Sequence, residues 1–533
     1  MKAKMALLAV AFALVFSLVA AIVLASPVSA QTIWYVDDDA CPGPGSGTNG
    51  DPFCSIQTAV NAASSGDTIV VAAGTYGGFT VGGMGEGEGK HDISIISDEG
   101  ARVSGANMFV DGAEWWVMAL VMRSTDIDIE GLDFDGTEID EDMVEGISYG
   151  DSTGRIADLT VKNIVGTEMA MGISIWGSQE GTAVDISNVT VENCVWGIMI
   201  GNAEVNIDGC TIEGVAPHGG FGMMAMDNAQ VTMEGSEITG FWVETPEPGT
   251  SGIGMMIGIT EDHEAWWGIE DERLSTVEMT GCSISGNNIG IYVYDDGDLT
   301  AHDNTIALND VTGVYKGNPP PVDARYNWWG DASGPTHVGN PEGTGDKVSD
   351  NVDYSPWLGD NGVFHCNLGS GLNIISTPVW LDSASDTVAD IIPTGYNGGY
   401  RWTGTSFTSL SAYYVWKPLE AFYVDVDAGT TATFVPTTDM KAPNTRTLAS
   451  NKWYLIGSSP FGGSGCQTMD DVLVNLANNW SVVVKPTAAN QAGGSCTVNN
   501  PTALTLCAYE GAFVYVGAGI TRTIVGFCTM PVE

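Results

Sequence analysis

The stretch Val184-Asp185-Ile186-Ser187-Asn188-Val189-Thr190-Val191 recurs along the chain. Similar phrases begin at Val205, Val231 and Val277, and each keeps apolar residues at the same three places. A second short phrase, Gly-apolar-x-apolar, follows several of these copies, as in Gly197-Ile198-Met199-Ile200. Each unit therefore reads as a strand, a turn and a strand, repeated with a coil length of about 21 residues.

Repeated short strands indicate a solenoid. Such strands cannot bury an apolar face alone, whereas stacked coils about 4.8 Å apart place equivalent residues above one another in one continuous core. We therefore predict a parallel β-helix in which Ile186, Ile207, Met233 and Met279 form one column. Cys210, Ser236 and Cys282 are predicted to form a second inward column, and residues 241–273 an insertion. Short, evenly spaced strands also occur in antiparallel sandwiches and propellers, but matched residues at one coil length favour the solenoid.

The segment Ser55–Ala63 reads as a short amphipathic helix. An uncovered solenoid end exposes a sheet edge and promotes aggregation. We expect this helix to cover the N-terminal end of the coils.

The N-terminus has the pattern of a secretory signal. Lys2 and Lys4 precede an apolar run at 5–24, and Val28-Ser29-Ala30 stands before Gln31. Cleavage between Ala30 and Gln31 is predicted, with an uncleaved anchor as the alternative. No later run is apolar for long enough to cross a membrane, so the mature chain is expected not to be integral to one.

The charge of the chain restricts its partners. The chain has 18 basic and 66 acidic residues, and cleavage would remove two lysines and no acids. Such a balance repels nucleic acid and anionic lipid, and favours divalent cations, cationic surfaces or neutral glycans. A merely solvated acidic surface is the alternative.

Nine of the ten cysteines fall into three groups. Cys41 and Cys54 bracket a Pro/Gly-rich loop, and we predict that they form a disulfide in an exported protein. Cys194, Cys210 and Cys282 lie within the repeats and read as buried small hydrophobes. Four further cysteines lie in the last 70 residues, where the sequence does not choose among three disulfide connectivities: Cys466, Cys496, Cys507 and Cys528.

Two phrases at the ends of the solenoid carry a family resemblance. The opening phrase contains Phe53-Cys54-Ser55-Ile56-Gln57 and Ala73-Gly74-Thr75-Tyr76, and the closing phrase is Tyr326-Asn327-Trp328-Trp329-Gly330 with Tyr354-Ser355-Pro356-Trp357. Residues 34–358 thereby resemble the pectin-lyase-like superfamily of exported right-handed parallel β-helices. The resemblance implies a β-helix domain at 31–360. It does not imply one activity, because this fold hosts lyases, hydrolases, epimerases, adhesins and surface-layer components.

Residues 361–533 form a second predicted domain with an approximate internal duplication. In the two halves, Leu372–Ser376 corresponds to Trp453–Gly457, and Glu420–Val424 corresponds to Gly511–Tyr515. Alternating apolar and polar residues between turn signals predict a smaller antiparallel β-domain. It resembles tandem all-β modules at the C-termini of exported repeat proteins.

An acidic strand is the first candidate site. If Ile127 and Ile129 face inward, then Asp126, Asp128 and Glu130 share the outer face, with Asp133 and Asp135 beyond them. Paired carboxylates on a groove are a general acid and base for glycoside hydrolysis, which makes Asp126, Asp128, Asp133 and Asp135 catalytic candidates. The same oxygens suit calcium, with Asp126, Asp128 and Glu130 as ligands. A solvated face is the third interpretation.

Aromatic pairs give the second candidate site. Trp266-Trp267, in the predicted insertion, can stack on sugar rings or pack against a turn. Basic groups that a lyase needs are scarce, and the aspartate, Gly-His-Gly and Arg-Ile-Lys set of polygalacturonases is not matched. The leading hypothesis is a secreted, non-catalytic β-helix that contacts extracellular glycans, calcium, cell-surface proteins or copies of itself. The alternative is a polysaccharide lyase or glycoside hydrolase that uses the acidic strand.

Overall fold

The structure is a computed structural model. It describes residues 31–83, 89–111, 113–166, 169–178, 181–214, 220–244, 252–258, 274–359, 363–377, 380–403, 405–418, 420–437, 445–448, 452–457, 466–468, 480–484, 497–498, 505–507, 511–516 and 522–525. The predicted signal segment 1–30, including Ala30, and the pair Trp266-Trp267 lie outside these residues.

A typical coil of the solenoid contains three strands, although His91–Val103 and Thr125–Asp135 each span the first two as one strand. The eight-residue repeat is two short strands, as in Ala183–Ser187 and Thr190–Glu192, and the Gly-containing phrase is the third, Trp196–Gly201. The unit of strand, turn and strand predicted from the sequence was therefore too simple. Asn188 lies between the first two strands with φ 53°, a left-handed conformation that Asn and Gly adopt readily. Gly209 takes the same role in the next coil, with φ 62°.

The first and second strands of successive coils form the first sheet, in which every pairing is parallel. Its members are Ile33–Val36, Thr68–Val71, Gly74–Tyr76, His91–Val103, Thr125–Asp135, Thr153–Ala157, Thr160–Lys162, Ala183–Ser187, Thr190–Glu192, Glu204–Asp208, Thr211–Glu213, Gln230–Glu234, Glu237–Thr239, Ser275–Thr280, Ser283–Ser285, Gly297–His302, Thr305–Ala307, Val322–Asp323 and Val352–Asp353.

The third strands form the second sheet, which is parallel except for one antiparallel pair formed by Asn107–Asp111. Its members are Phe79–Gly82, Asn107–Asp111, Ala113–Met122, Met143–Gly150, Met169–Trp176, Trp196–Gly201, Phe221–Met226, Ile253–Ile257, Ile289–Val293 and Thr312–Lys316.

The predicted core columns are confirmed. Ile186 pairs with Ile207, Ile207 with Met233, and Met233 with Met279, and all four side chains are buried. In the second column the Cys210 amide donates to Ser236 Oγ at 3.0 Å. Cys282 is also buried, so this inward column is confirmed.

A column of glycines forms where each third strand begins. A Cβ on Gly222 would lie 2.4 Å from Ile238 Cγ2 and 2.5 Å from the Gly254 carbonyl oxygen. The glycine of the Gly-apolar-x-apolar phrase is therefore required by close approach to the core and to the next coil. The prediction that residues 241–273 form an insertion was wrong in part. Ile253–Ile257, which contains Gly254, is the third strand of a coil and pairs in register with Phe221–Met226. The strand was not recognised in the sequence because the extra residues on either side of it interrupt the regular coil length.

Both ends of the solenoid are covered. The predicted helix is present as Ile56–Ala62, capped by Ser55, and it places Ile56, Ala59 and Val60 in the core. The predicted disulfide between Cys41 and Cys54 is formed beside it, with the Cα atoms 5.0 Å apart. Short 3-10 helices occupy Asp38–Ala40 and Gly136–Glu138.

The C-terminal end is covered by the following domain. Trp357–Leu358 pairs antiparallel with Phe364–Leu368, and the ring centroids of Tyr326 and Phe364 lie 6.5 Å apart in a shared core cluster. Pro335–Thr336 and Gly345–Lys347 pair with each other before the last strand of the first sheet. The remaining strands and one helix of the described residues are Gly371–Ser376, Val388–Ile391 (helix), Tyr396–Trp402, Phe407–Ser409, Ala421–Val426, Thr430–Phe434, Thr445–Leu448, Lys452–Gly457, Cys466–Thr468, Trp480–Val484, Thr497–Val498, Thr505–Cys507, Gly511–Val516 and Arg522–Val525.

The predicted antiparallel class of this domain is confirmed. Gly371–Ser376 pairs with Ala421–Val426, and Lys452–Gly457 pairs with Gly511–Val516. Leu372 faces Asp425, and Trp453 faces Tyr515. The internal duplication stays a prediction.

Among the described residues, no helix has the length and apolar character needed to span a bilayer.

Candidate functional site

The acidic strand lies in the first sheet, and its inward and outward faces are as predicted. Ile127 and Ile129 are fully buried. Asp128 is in register with Arg155 of the next coil, and Glu130 forms an ion pair with the same arginine. Partial burial raises the pKa of Asp128, and Arg155 opposes this effect.

Two further carboxylates of the cluster, Asp133 and Asp135, accept hydrogen bonds from neighbouring turns. Asp133 Oδ1 accepts the Thr160 amide at 3.0 Å. Asp135 accepts from the Thr137 amide at 3.1 Å and from Asn163 Nδ2 at 2.9 Å. Burial alone would raise the pKa of Asp135, but these hydrogen bonds lower it. To act as a general acid or base, Asp133 or Asp135 would have to break these hydrogen bonds.

No group of three or more His, Cys, Asp or Glu side chains is arranged to hold a metal ion in the part of the chain that the structure describes. Calcium binding by Asp126, Asp128 and Glu130 stays a prediction. Stacking of sugar rings on Trp266-Trp267 also stays a prediction, because that pair lies outside the described residues.

A cleft of about 660 Å³ lies at the C-terminal end of the second sheet. We call it the tyrosine cleft. One wall belongs to the last two strands of the sheet, and the other to the closing segment, residues 335–350. Its lining residues are Ile289, Tyr292, Val311, Thr312, Tyr315, Thr336, His337, Val338, Lys347, Val348, Ser349 and Asp350.

The tyrosines continue an outward column of the second sheet. Met199, Met224, Met256, Tyr292 and Tyr315 follow one another in register. The methionines of this column are buried, whereas Tyr315 at its end is 37% exposed. The column therefore ends in an aromatic residue that a ligand can reach.

The tyrosine rings form a stack. The centroids of Tyr292 and Tyr315 lie 4.8 Å apart with 29° between the planes, and Tyr294 lies 4.6 Å from Tyr292. Tyr292 covers one face of Tyr315, and both tyrosines line the cleft. Burial, helped by Tyr315 and Asp295, raises the pKa of Tyr292, so its phenol stays neutral near pH 7.

The closing segment is attached to the sheet as a further coil. Val314 and Val348 form a parallel bridge, and Thr312 Oγ1 donates to the Lys347 carbonyl at 2.8 Å. Val311 and Val338 are 48% and 83% exposed at the rim. Exposed apolar side chains around a concave aromatic surface are typical of a binding site.

His337 is fully engaged within the closing segment. Its Nδ1 accepts the Gly339 amide at 3.0 Å and lies 3.2 Å from Tyr354 Oη, while Nε2 lies 3.1 Å from Asp350 Oδ1. Because the Gly339 amide only donates, the neutral ring carries its proton on Nε2 and donates to Asp350. Neither nitrogen is left to act as a base on a ligand.

The cleft lining has one carboxylate, that of Asp350. Glycoside hydrolysis requires two carboxyl groups flanking the bond. The described lining therefore offers a ligand an aromatic ring, hydroxyl groups and a single carboxylate.

Sequence reasoning missed this cleft, although a signal was present. Gly290-Ile291-Tyr292 and Gly313-Val314-Tyr315 place tyrosine at the same outward position of two successive coils. Gly313-Val314-Tyr315 was not recognised as a copy of the repeat, so the stacking of the two tyrosines was not predicted from the sequence.

Comparisons with known proteins agree with the architecture. Residues 171–327 match the family model described as right handed beta helix region. No curated protein matches the sequence.

Three solved structures are similar in shape. They are pectate lyase Pel9A, at 15% identity and a TM-score of 0.37 over 63% of this chain and 82% of that one; a rhamnogalacturonan lyase, at 12% and 0.37 over 61% and 87%; and pectin methylesterase PemA from Erwinia chrysanthemi, at 11% and 0.33 over 62% and 95%. Identities this low say nothing of a shared activity. The family match and the strand register together identify the chain as a right-handed parallel β-helix protein with antiparallel β-sheets after its last coil.

Proposed function

We propose that this protein binds a neutral glycan in the tyrosine cleft without cleaving it, at the outside of the cell. The observation that carries the proposal is the Tyr292–Tyr315 stack, which ends in a partly exposed ring that lines a concave site. The axial C–H groups of a sugar ring pack well against the face of such a ring. A volume of about 660 Å³ suits a short oligosaccharide or the end of a longer chain.

Charge supports a neutral ligand. The chain has a net charge of −48, which disfavours the approach of a polyanionic glycan. Lys347 is the one lysine or arginine in the cleft lining, too few to hold a run of uronates. In that lining the Tyr292 hydroxyl can bond to sugar hydroxyls, and Thr336 Oγ1 and Ser349 Oγ, whose hydrogens go to backbone carbonyl oxygens, can accept from them.

The proposed location rests on the N-terminal signal pattern and on the Cys41–Cys54 disulfide, a bond typical of exported proteins. Cell-surface proteins and further copies of the chain remain proposed partners in the same setting. Calcium is not needed for the binding that we propose.

A panel of polysaccharides tests the proposal. Purified protein is titrated calorimetrically with neutral and acidic polysaccharides, with and without calcium, while reducing ends and unsaturated products are measured. We expect binding to a neutral glycan, no products, and a loss of at least about tenfold in affinity, roughly 1.4 kcal/mol, for Tyr315→Ala.

Tyr413→Ala is the matched control, since Tyr413 is 84% exposed and is absent from the cleft lining. The control should bind as wild type does. Product release that Asp128→Ala abolishes would instead establish an enzyme that works on the acidic strand.

A further inference from the structure

Lys316 is a buried cation next to the tyrosine cleft. It ends the strand Thr312–Lys316 and is 1% exposed. Its Nζ donates to the carbonyl oxygens of Tyr294 at 2.5 Å, Gly297 at 2.9 Å and Asp295 at 3.4 Å. All three ammonium hydrogens therefore have backbone acceptors within one turn, residues 294–297.

The surroundings of this ammonium resemble a cation site. Convergent carbonyl oxygens backed by carboxylates are what a hard cation binds in proteins. Burial lowers the pKa of Lys316, and Asp295, Asp296 and Asp298 around the turn oppose this effect in part. The amine of Lys316 thus occupies the position that a free cation would take.

Both walls of the cleft meet at this residue. On one side, the turn that Nζ holds carries Tyr294, whose ring packs on Tyr292 and through it on Tyr315. On the other side, the Lys316 amide donates to Ser349 Oγ at 2.8 Å, and that hydroxyl donates back to the Lys316 carbonyl at 2.9 Å. Ser349 belongs to the closing segment and lines the cleft.

We propose that Lys316 is a positioning residue whose ammonium fills an internal cation site and thereby fixes the tyrosine stack against the closing segment. This inference rests on the proposed glycan binding for its functional consequence. Loss of the ammonium removes one donor from each of three carbonyl oxygens, of which the Tyr294 oxygen keeps the Gly297 amide at 3.1 Å, and thereby weakens the turn under the stack.

Chemical rescue tests the proposal. Lys316→Ala is prepared with Lys316→Met, which keeps the length without the charge, and with Lys417→Met as the control at an exposed lysine. Thermal unfolding and affinity for the glycan selected by the panel are measured with no additive, with propylammonium chloride and with propanol. We expect Lys316→Met to lose about tenfold in affinity, and Lys316→Ala to regain both affinity and melting temperature with propylammonium only.

Two results would overturn it: a Lys316→Met affinity within twofold of wild type, or equal rescue by propanol, which would show that the side chain only fills space. If wild-type protein binds no glycan, the proposed function fails, whereas the cation site is still judged by the amine-specific gain in melting temperature.

A measurement on wild-type protein covers variants that fail to fold. With ¹⁵N-labelled lysine, the Lys316 Nζ should give a charged, slowly exchanging resonance at neutral pH, because its hydrogens are buried and bonded. Only fast-exchanging amine signals would contradict the proposal.

Discussion

Tyr292 and Tyr315 occupy the same outward position in successive coils, and their ring centroids are 4.8 Å apart. This is the distance between neighbouring strands of a sheet. The solenoid thus converts a tyrosine repeated in the sequence into a stack at the coil spacing. The stack therefore follows from the periodicity of the sequence, and the turn at residues 294–297 supports it through Tyr294.

The stack predicts graded losses in glycan binding. Tyr292→Leu should lower the affinity about threefold to tenfold, less than Tyr315→Ala, because Tyr292 backs the exposed ring whereas Tyr315 offers the contact face. Calorimetric titration of both variants checks the order. Equal affinity of both variants and wild type would remove the stack from the binding site.

Glycine in the third strand is predicted to be essential for stability at one position and not at another. A Cβ on Gly197 would lie 2.4 Å from the Gly222 carbonyl oxygen, whereas a Cβ on Gly201 in the same strand would meet nothing nearer than Met226 Cγ at 3.9 Å. Gly197→Ala should therefore lower the free energy of unfolding by about 2 kcal/mol or more. Gly201→Ala should change it by well under half of that, as measured by denaturant unfolding.

Glu145 is predicted to make stability fall as pH rises. It is 3% exposed on the second sheet, and burial raises its pKa from 4.5 to about 7. Between these values the folded state keeps a proton that the unfolded state has lost, so the contribution of Glu145 to stability is full below about pH 4.5 and is lost by about pH 7, by roughly 3 kcal/mol.

Glu145→Gln should remove this dependence. The variant should match wild type near pH 4.5 and be more stable at pH 8, in urea unfolding at each pH. An unchanged slope between pH 5 and 7 would show that the carboxylate does not titrate in this range.

Asp323 is predicted to make stability rise with pH, the opposite of the effect of Glu145. Arg325 donates to its two oxygens at 2.8 and 2.7 Å, and His302 Nε2 lies 3.0 Å from Oδ1. Burial would raise its pKa, but these partners hold the pKa well below the usual range. The carboxylate therefore stabilises the fold above about pH 3.8, and this contribution is lost as pH falls further.

Asp323→Asn should cost about 2 kcal/mol in unfolding free energy at pH 7, with a difference that shrinks in acid below pH 4. Glu278→Gln, at an exposed position of the same outward column, is the control and should have little effect. A constant difference from pH 7 to pH 2 would contradict the assignment.

Much of the solenoid follows from the sequence, because coil stacking places equivalent residues in columns. The matching phrases around Ile186 and Ile207 predict that these residues stack in one column. Ser55, directly before Ile56, indicates where the capping helix begins. The strand Ile253–Ile257 was missed because the residues around it break the coil length.

The candidate site was less accessible from sequence. The acidic strand was correctly placed on the outer face, but its hydrogen bonds depend on neighbouring coils, as in the contact of Asp135 with Asn163. The tyrosine cleft requires the closing segment to return against Tyr315, and nothing in a local pattern reports a contact between residues 315 and 348.

The most direct test of the account is a crystal structure of the protein soaked with the oligosaccharide that the polysaccharide panel selects. We predict an intact sugar ring packed on the exposed face of Tyr315, between the second sheet and the closing segment. A sugar bound on the acidic strand at Asp128, or cleaved there, would contradict the account.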